Sequence, residues 1–212
     1  FEKDLEVNDI QEICSQYLTL IEDRIGKPFP EDVNEQLMLG IKAVMESWFN
    51  ERAIDYRRIN DIPEDFGTAV NIQRMVFGNL DDESATGAVF SRNPQDGKKR
   101  LKGEYIIRSQ GEDIVSGFKT PWAISNIDKG DSSSTILSLE EKFPNCYKEL
   151  EKFSQILENY FSCIQDIEFT IEAGKLWILQ SRRAESNIEA SLVIFCDMVK
   201  EGLITKQEVI LS

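Results

Sequence analysis

The stretch DIEFTIEAGKLWILQSR, Asp166 to Arg182, has the alternation of a β-hairpin. Ile167, Phe169 and Ile171 share one side of its first half, and Asp166, Glu168 and Thr170 share the other. Successive side chains of a strand point to opposite faces, so this half has an apolar face and a polar one. The spacing predicts strands over Ile167–Ile171 and Leu176–Gln180. They turn at Ala173-Gly174, a pair suited to a tight turn that needs positive φ. On the second strand Trp177 and Leu179 alternate with Ile178 and Gln180, and Arg182 follows. A carboxylate and an amide oxygen are hard ligands of the kind Mg²⁺ accepts, and a guanidinium pairs with phosphate through its planar fork. Taken alone, the plainer reading of these residues is a solvated edge hairpin carrying an ion pair.

A geometric condition attaches to the richer reading. A simple two-residue turn sets Glu168 opposite Leu179 and turns Gln180 to the other face. Glu168 and Gln180 meet only if a bulge or bend lies near Gln180, or if a three-residue turn shifts the register. The sequence leaves both open.

Upstream, between Asp65 and Gly117, short β-branched or aromatic runs alternate with Gly-rich turns. Strands are predicted over Thr68–Phe77, Thr86–Ser91 and Glu104–Ile107, with polar turns at Asn79–Ser84 and Asn93–Lys99. The second turn, with Pro, Gly and adjacent lysines, is expected to be exposed and mobile. Gln73, Met75 and Val76 sit at the end of the first predicted strand. Backbone groups there can read an adenine edge while Met75 and Val76 pack on the ring. Thr86-Gly87 and Arg92-Asn93 bring backbone donors and a cation toward phosphates. Glu104 and Glu112 are further candidate acids, although each taken singly reads as a surface charge.

Residues 1–60 read as helical. Asn8 is the expected N-cap of a first helix that keeps 3–4 spacing through Ile10, Ile13, Tyr17 and Ile21 to Gly26. After Pro28 and Pro30, the stripe Leu37, Ile41, Val44, Met45 and Trp48 is expected to pack in a core. A shorter helix carries Arg52 to Arg58. Residues 122–136 read as a linker, a helix follows over Ser138–Phe161 with an interruption at Pro144, and a last helix runs near Ile188–Gly202. The fold class is α+β: a helical subdomain over 1–62, a mainly antiparallel sheet lobe with packed helices over 63–184, and a closing helix or linker over 185–212.

Composition narrows the function classes. Of 212 residues, 38 are acidic and 24 basic, a net charge of −14. That balance disfavours sequence-independent nucleic-acid binding. No apolar run approaches the roughly 18 residues of a membrane span. Histidine is absent, which removes Ser-His and Cys-His catalysis, the common zinc sites and any phosphohistidine from this chain. Cys14, Cys146, Cys163 and Cys196 are scattered, with no CxxC pair, and read as free thiols. A first residue of Phe suggests a piece of something longer, and with no span or basic-then-apolar opening segment the expected setting is cytoplasmic.

Three long strings then stop looking independent: SWFNERAIDYRRINDIPEDFGTAVNIQRMVFGN (Ser47–Asn79), ATGAVFSRNPQDGKKRLKGEYIIRSQGEDIVSG (Ala85–Gly117) and QDIEFTIEAGKLWILQSR (Gln165–Arg182). With the closing CDMVKEGLITKQE (Cys196–Glu208), they resemble the pyruvate, phosphate dikinase family over roughly Pro30 to Leu211. The resemblance implies part of an amino-terminal, ATP-grasp nucleotide-binding domain, incomplete because its first lobe precedes this chain. It implies ATP and Mg²⁺ as cofactors, and transfer of phosphoryl groups through a histidine to phosphate and pyruvate. Phosphohistidine and pyruvate-binding domains of the same polypeptide and a homodimer are implied partners, with no nucleic acid and no membrane.

By position, the resemblance makes Glu168 and Gln180 the metal-facing pair. Arg182 becomes the catalytic, phosphate-facing arginine, with Asp166 in the same acidic motif. Gln73, Met75 and Val76 fall on the adenine side, and Arg92 and Glu112 lie in matching motifs. Ala85 departs from the family's usual Gly, Arg108-Ser109 from Asn-Ala, and Arg183-Ala184 from Asn-Gly. Glu185-Ser186-Asn187 stands where a basic stretch is expected. A sibling phosphoenolpyruvate synthase-type phosphotransferase and a non-catalytic nucleotide-binding or regulatory module are the alternatives.

Overall fold

A computed structural model describes residues 5–111, 120–129 and 136–211. The chain divides into two compact units between Gln73 and Arg74.

The first unit is helical: α1 (Val7–Ile25), α2 (Val33–Ser47) and α3 (Glu51–Ile59), then a single 3₁₀ turn at Glu64–Phe66. Helix α1 begins in a capping box, in which the Glu6 N–H donates to Asp9 Oδ2 at 2.8 Å. The cap therefore lies ahead of Asn8, because Glu6 and Asp9 satisfy each other's end of the box. Gly26 closes the helix in the left-handed conformation at φ 73°, which glycine adopts without a Cβ clash. Asp32 caps α2 by accepting from the Glu35 N–H at 2.9 Å. The expected core stripe is not buried: no residue of α1 or α2 is, and Leu37, Val44 and Met45 are exposed. Periodicity establishes that a helix has an apolar face, but covering that face requires a partner surface. The buried residue of α3 is instead Arg57, whose guanidinium lies 3.9 Å from the centre of the Trp48 ring and donates to the Trp48 carbonyl at 2.6 Å.

The second unit is built on an antiparallel sheet of β1 (Ala85–Phe90), β2 (Lys102–Ile107), β3 (Trp122–Ala123), β4 (Gln165–Glu172) and β5 (Lys175–Arg183), in the order β3-β2-β1-β4-β5. Helices α4 (Asn126–Lys129), α5 (Leu139–Lys142) and α6 (Pro144–Phe161) lie between β3 and β4, and α7 (Ile188–Lys200) and α8 (Lys206–Leu211) follow β5. Strand β3 and α4 occupy the expected linker, which Tyr105 and Trp122 draw into the core by edge-to-face packing. The interruption at Pro144 is present, since proline lacks the N–H that a continuous helix needs and suits a first turn.

One face of the sheet is covered. Val89, Tyr105, Ile167, Phe169 and Ile171 pack there against Leu139 of α5, Phe143 at the junction, and Cys146 and Leu150 of α6. Gly87 belongs to this face because a Cβ would run into the Phe169 ring and the Glu104 carbonyl. A second cluster, Ile164, Ala184, Ala190, Ile194 and Met198, fastens α7 to the base of the hairpin.

Two expectations are corrected here. Residues 68–77 contain no strand, because β-branched residues make a strand only where a neighbouring strand takes up the backbone hydrogen bonds. The Phe77 N–H donates instead to the Glu172 carboxylate at 2.9 Å. The loop after β1 is not a free surface turn either. Within the Asn93–Lys99 turn Gln95, Lys98 and Lys99 are exposed, but Asn93 and Gly97 are buried, and Asn187 at the N-cap of α7 donates from Nδ2 to the Gln95 carbonyl at 2.9 Å. Polar loops can be anchored by their own backbone groups, which composition does not reveal.

Candidate functional site

The sheet's other face carries the polar side chains, and the hairpin decides how they line up. Its turn places both central residues at positive φ, Ala173 at 48° and Gly174 at 75°, which matches the strand twist. From the turn, Glu172 pairs with Lys175, Ile171 with Leu176, Thr170 with Trp177 and Phe169 with Ile178. The register then shifts, and Glu168 pairs with Gln180 and Asp166 with Arg182. Leu179 is the extra residue of a bulge, so the turn is of the two-residue kind and the bulge brings Gln180 back to the face of Glu168.

Reading the pairings across the strands gives rows of side chains on this face. One row runs Ala123, Glu104, Ala88, Glu168, Gln180, and the next Lys102, Phe90, Asp166, Arg182. Strand spacing puts Glu104 and Glu168 about 10 Å apart with only the methyl of Ala88 between them. Arg182 is held by Asp166, with Nε and Nη2 at 2.8 and 2.7 Å from Oδ2, while its side chain stays 64% exposed. Donating to the Asp166 carboxylate raises the guanidinium's pKa further, so the cation is permanent and its outer edge is available. Glu168 is half-buried, Gln180 is exposed, and neither side chain has a hydrogen bond among the described residues. Among those residues no cluster of three or more His, Cys, Asp or Glu forms a metal cage. A carboxylate and an amide across one strand pair can supply two oxygen ligands, which suits a cation that keeps waters and takes phosphate oxygens.

Beyond β1, a cleft of about 500 Å³ opens between Ala88, Phe90, Gln95, Lys102, Glu104 and Asp128. Lys102 is steadied by Asp128 at 3.1 Å, and Arg100 reaches the same carboxylate at 2.6 Å. At the far end of the hairpin, Arg74 lies 3.6 Å from Glu172 and 5.2 Å from the centre of the Trp177 ring. These contacts, with the Phe77 bond to Glu172, lay the Met75-Val76 segment beside the Glu172 end. Met75 is 74% exposed and Val76 half-buried. Gln73 is exposed and falls on the other side of the division between the units.

The structure thus brings Asp166, Glu168, Gln180 and Arg182 together and sets Met75 and Val76 along the same hairpin. It does not bring Arg92 with them. That guanidinium is 0% exposed, bound to Glu158 Oε1 through Nε at 3.0 Å and to Glu201 through Nη2 at 2.8 Å. Glu112 lies outside the described residues. Sequence reasoning undervalued Glu104 and passed over Ala88 and Lys102. The available signal was the alternation Thr86, Ala88, Phe90, which predicts one face of β1, but the matching residues on β2 follow only from strand pairing.

Comparison with known proteins places the chain in a family. The family model described as "Pyruvate phosphate dikinase, AMP/ATP-binding domain" matches residues 5–142 and 122–202. The chain is 46% identical over 211 residues to pyruvate, phosphate dikinase of Rhizobium meliloti (strain 1021), covering 99% of this chain and 24% of that protein. It is 44% identical over 211 residues to pyruvate, phosphate dikinase of Clostridium symbiosum, covering 99% and 23%. Over 207 residues it is 41% identical to pyruvate, phosphate dikinase 2 of Zea mays, covering 98% and 22%. The chain spans about a quarter of the length of the curated relatives it matches. The fold is α+β, helices with a five-stranded antiparallel sheet, and the chain belongs to the pyruvate phosphate dikinase AMP/ATP-binding domain family.

Proposed function

We propose that the open face of the sheet binds Mg·ATP and forms part of the phosphoryl-transfer site of a pyruvate, phosphate dikinase. The observation that carries this reading is the bulge-made pairing of Glu168 with Gln180, one alternate position along from the Asp166–Arg182 ion pair. Glu168 and Gln180 hold the metal, Arg182 takes the phosphates, and Met75 and Val76 take the base. Glu172 to Asp166 spans about 20 Å of strand, enough for a nucleotide laid with its base at Glu172 and its phosphates toward Asp166.

Glu168 and Gln180 would hold Mg²⁺, which would supply neutralisation of phosphate charge. The chain's own part is positioning and charge neutralisation. Asp166 fixes the Arg182 fork so that the outer N–H groups face developing negative charge at no cost in reorganisation during transfer. The phosphoryl acceptor in this family reading is a histidine, and none of the 212 residues is one, so the acceptor belongs to another part of the polypeptide. The net reaction we assign to the parent protein converts ATP, phosphate and pyruvate to AMP, pyrophosphate and phosphoenolpyruvate. A sheet lobe over 63–184, a helical subdomain over 1–62 and a connecting segment over 185–212 complete the proposal. A homodimer and a cytoplasmic setting follow from the same reading, the latter supported by four free thiols.

Calorimetry of the chain with Mg·ATP tests the binding step. A saturable heat that disappears in Glu168→Ala and weakens in Arg182→Ala is expected, and no heat at millimolar nucleotide removes the proposal. In the parent enzyme, Arg182→Ala should lower turnover by about 10²–10³ while the fold is retained, the range for loss of one oriented transition-state donor. Unchanged turnover would take Arg182 out of the mechanism.

A further inference from the structure

The Asn93–Lys99 loop is tied to α7 along the helix's whole length. At the N-cap, the Asn187 N–H donates to the Pro94 carbonyl at 3.3 Å, and its Nδ2 donates to the Gln95 carbonyl at 2.9 Å. In the middle, Gly97 sits at φ +73°, where a Cβ would stand 2.7 Å from both the Ala190 carbonyl oxygen and Val193 Cβ. Positive φ and close approach together require glycine there. At the C-cap, Lys99 Nζ and Arg92 Nη2 each reach Glu201 Oε2 at 2.8 Å. Arg92 is buried and also grips Glu158 of α6, so the last contact is anchored below the sheet. Asn187 to Glu201 is about 21 Å of helix, spanned by a loop of a few residues.

The same loop forms a wall of the cleft, because Pro94 and Gln95 line it beside Phe90 and Lys102. Those last two residues belong to the row that ends in Asp166 and Arg182. We infer that Arg92, Gly97 and Asn187 are positioning residues that lock the phosphate-end wall to α7, so a shift of α7 alters the phosphate end and leaves the base end alone. Arg92 thereby acts through the wall and touches no phosphate. This rests on the proposed function for which end holds the phosphates, whereas the linkage itself does not.

The test uses Asn187→Asp combined with Glu201→Gln in the full chain. Aspartate keeps the cap that accepts from the Ala190 N–H at 2.8 Å but loses the donor to Gln95. Glutamine removes the charge that Arg92 and Lys99 share. Hydrogen exchange at 94–99 should quicken. Affinity for Mg·ATP should fall about tenfold while that for adenosine stays within about twofold, since cutting ties at one end perturbs only what that end holds. Equal losses for both ligands, or faster exchange with ATP affinity unchanged, overturn the inference. If the unsubstituted chain binds neither ligand, the proposed function has failed, and unchanged exchange at 94–99 in the variant would then also remove the linkage. Should the double variant not fold, Asn187→Asp alone, with its helix cap intact, carries the same comparison.

Discussion

The two faces of this sheet use the same strands for opposite ends, and two arginines show the contrast. Arg92, on the covered side, is 0% exposed and shared between Glu158 and Glu201. Arg182, on the open side, is 64% exposed and held by one carboxylate, Asp166. Arg92 follows β1 and Arg182 lies within β5. Burial separates their work. A guanidinium with all its ionic partners inside the protein is an element of architecture, while one gripped from a single side keeps donors for a ligand.

The largest effects should come from the covered face. Phe169→Ala removes a ring at the centre of the core, and should cost about 3–5 kcal/mol in urea unfolding. A loss under about 1 kcal/mol would mean the face is not tightly packed. Arg92→Met should cost about 3 kcal/mol, because it leaves Glu158 buried without its cation. If the variant keeps wild-type stability but loses nucleotide affinity, Arg92 is a ligand after all and the contrast with Arg182 collapses. Arg182→Ala should leave the unfolding curve in place, since an exposed pair contributes little to stability. On the proposed function, its effect falls on nucleotide binding and turnover alone.

The smallest effect concerns acid. Burial works against the Asp128 carboxylate, but Arg100, Lys102 and Ser125 outweigh it and hold its pKa below the ordinary aspartate value. A folded pKa below the unfolded one means that this stabilisation is fully present above about pH 4 and is lost as pH falls through the folded value. Unfolding measured from pH 7 down to pH 3 should show a decline that flattens in Asp128→Asn. An identical slope in both proteins would show that Asp128 does not contribute to acid sensitivity.

Much of the sheet was legible in the chain itself. Strands β1, β2, β4 and β5 lie where period-2 alternation and turn residues put them, and Pro144 starts a helix as proline chemistry requires. Residues 68–77 and 122–129 depart from their local pattern because pairing and aromatic packing with distant residues decide whether such segments become strands. The stripes of α1 and α2 show the converse, a correct helical period without a buried face.

For the site, the residue order alone determined that Asp166, Glu168, Gln180 and Arg182 would lie on one hairpin, because alternation and a two-residue turn are local. It did not determine that Glu168 and Gln180 would face one another. The bulge at Leu179 settled that, and a bulge is stable only where neighbouring strands and core side chains accept the extra residue. Tertiary structure alone aligned Glu104 with Glu168 across Ala88 and took Arg92 below the sheet. Cross-strand neighbours and buried ion pairs are relations between residues distant in sequence, which no local pattern encodes.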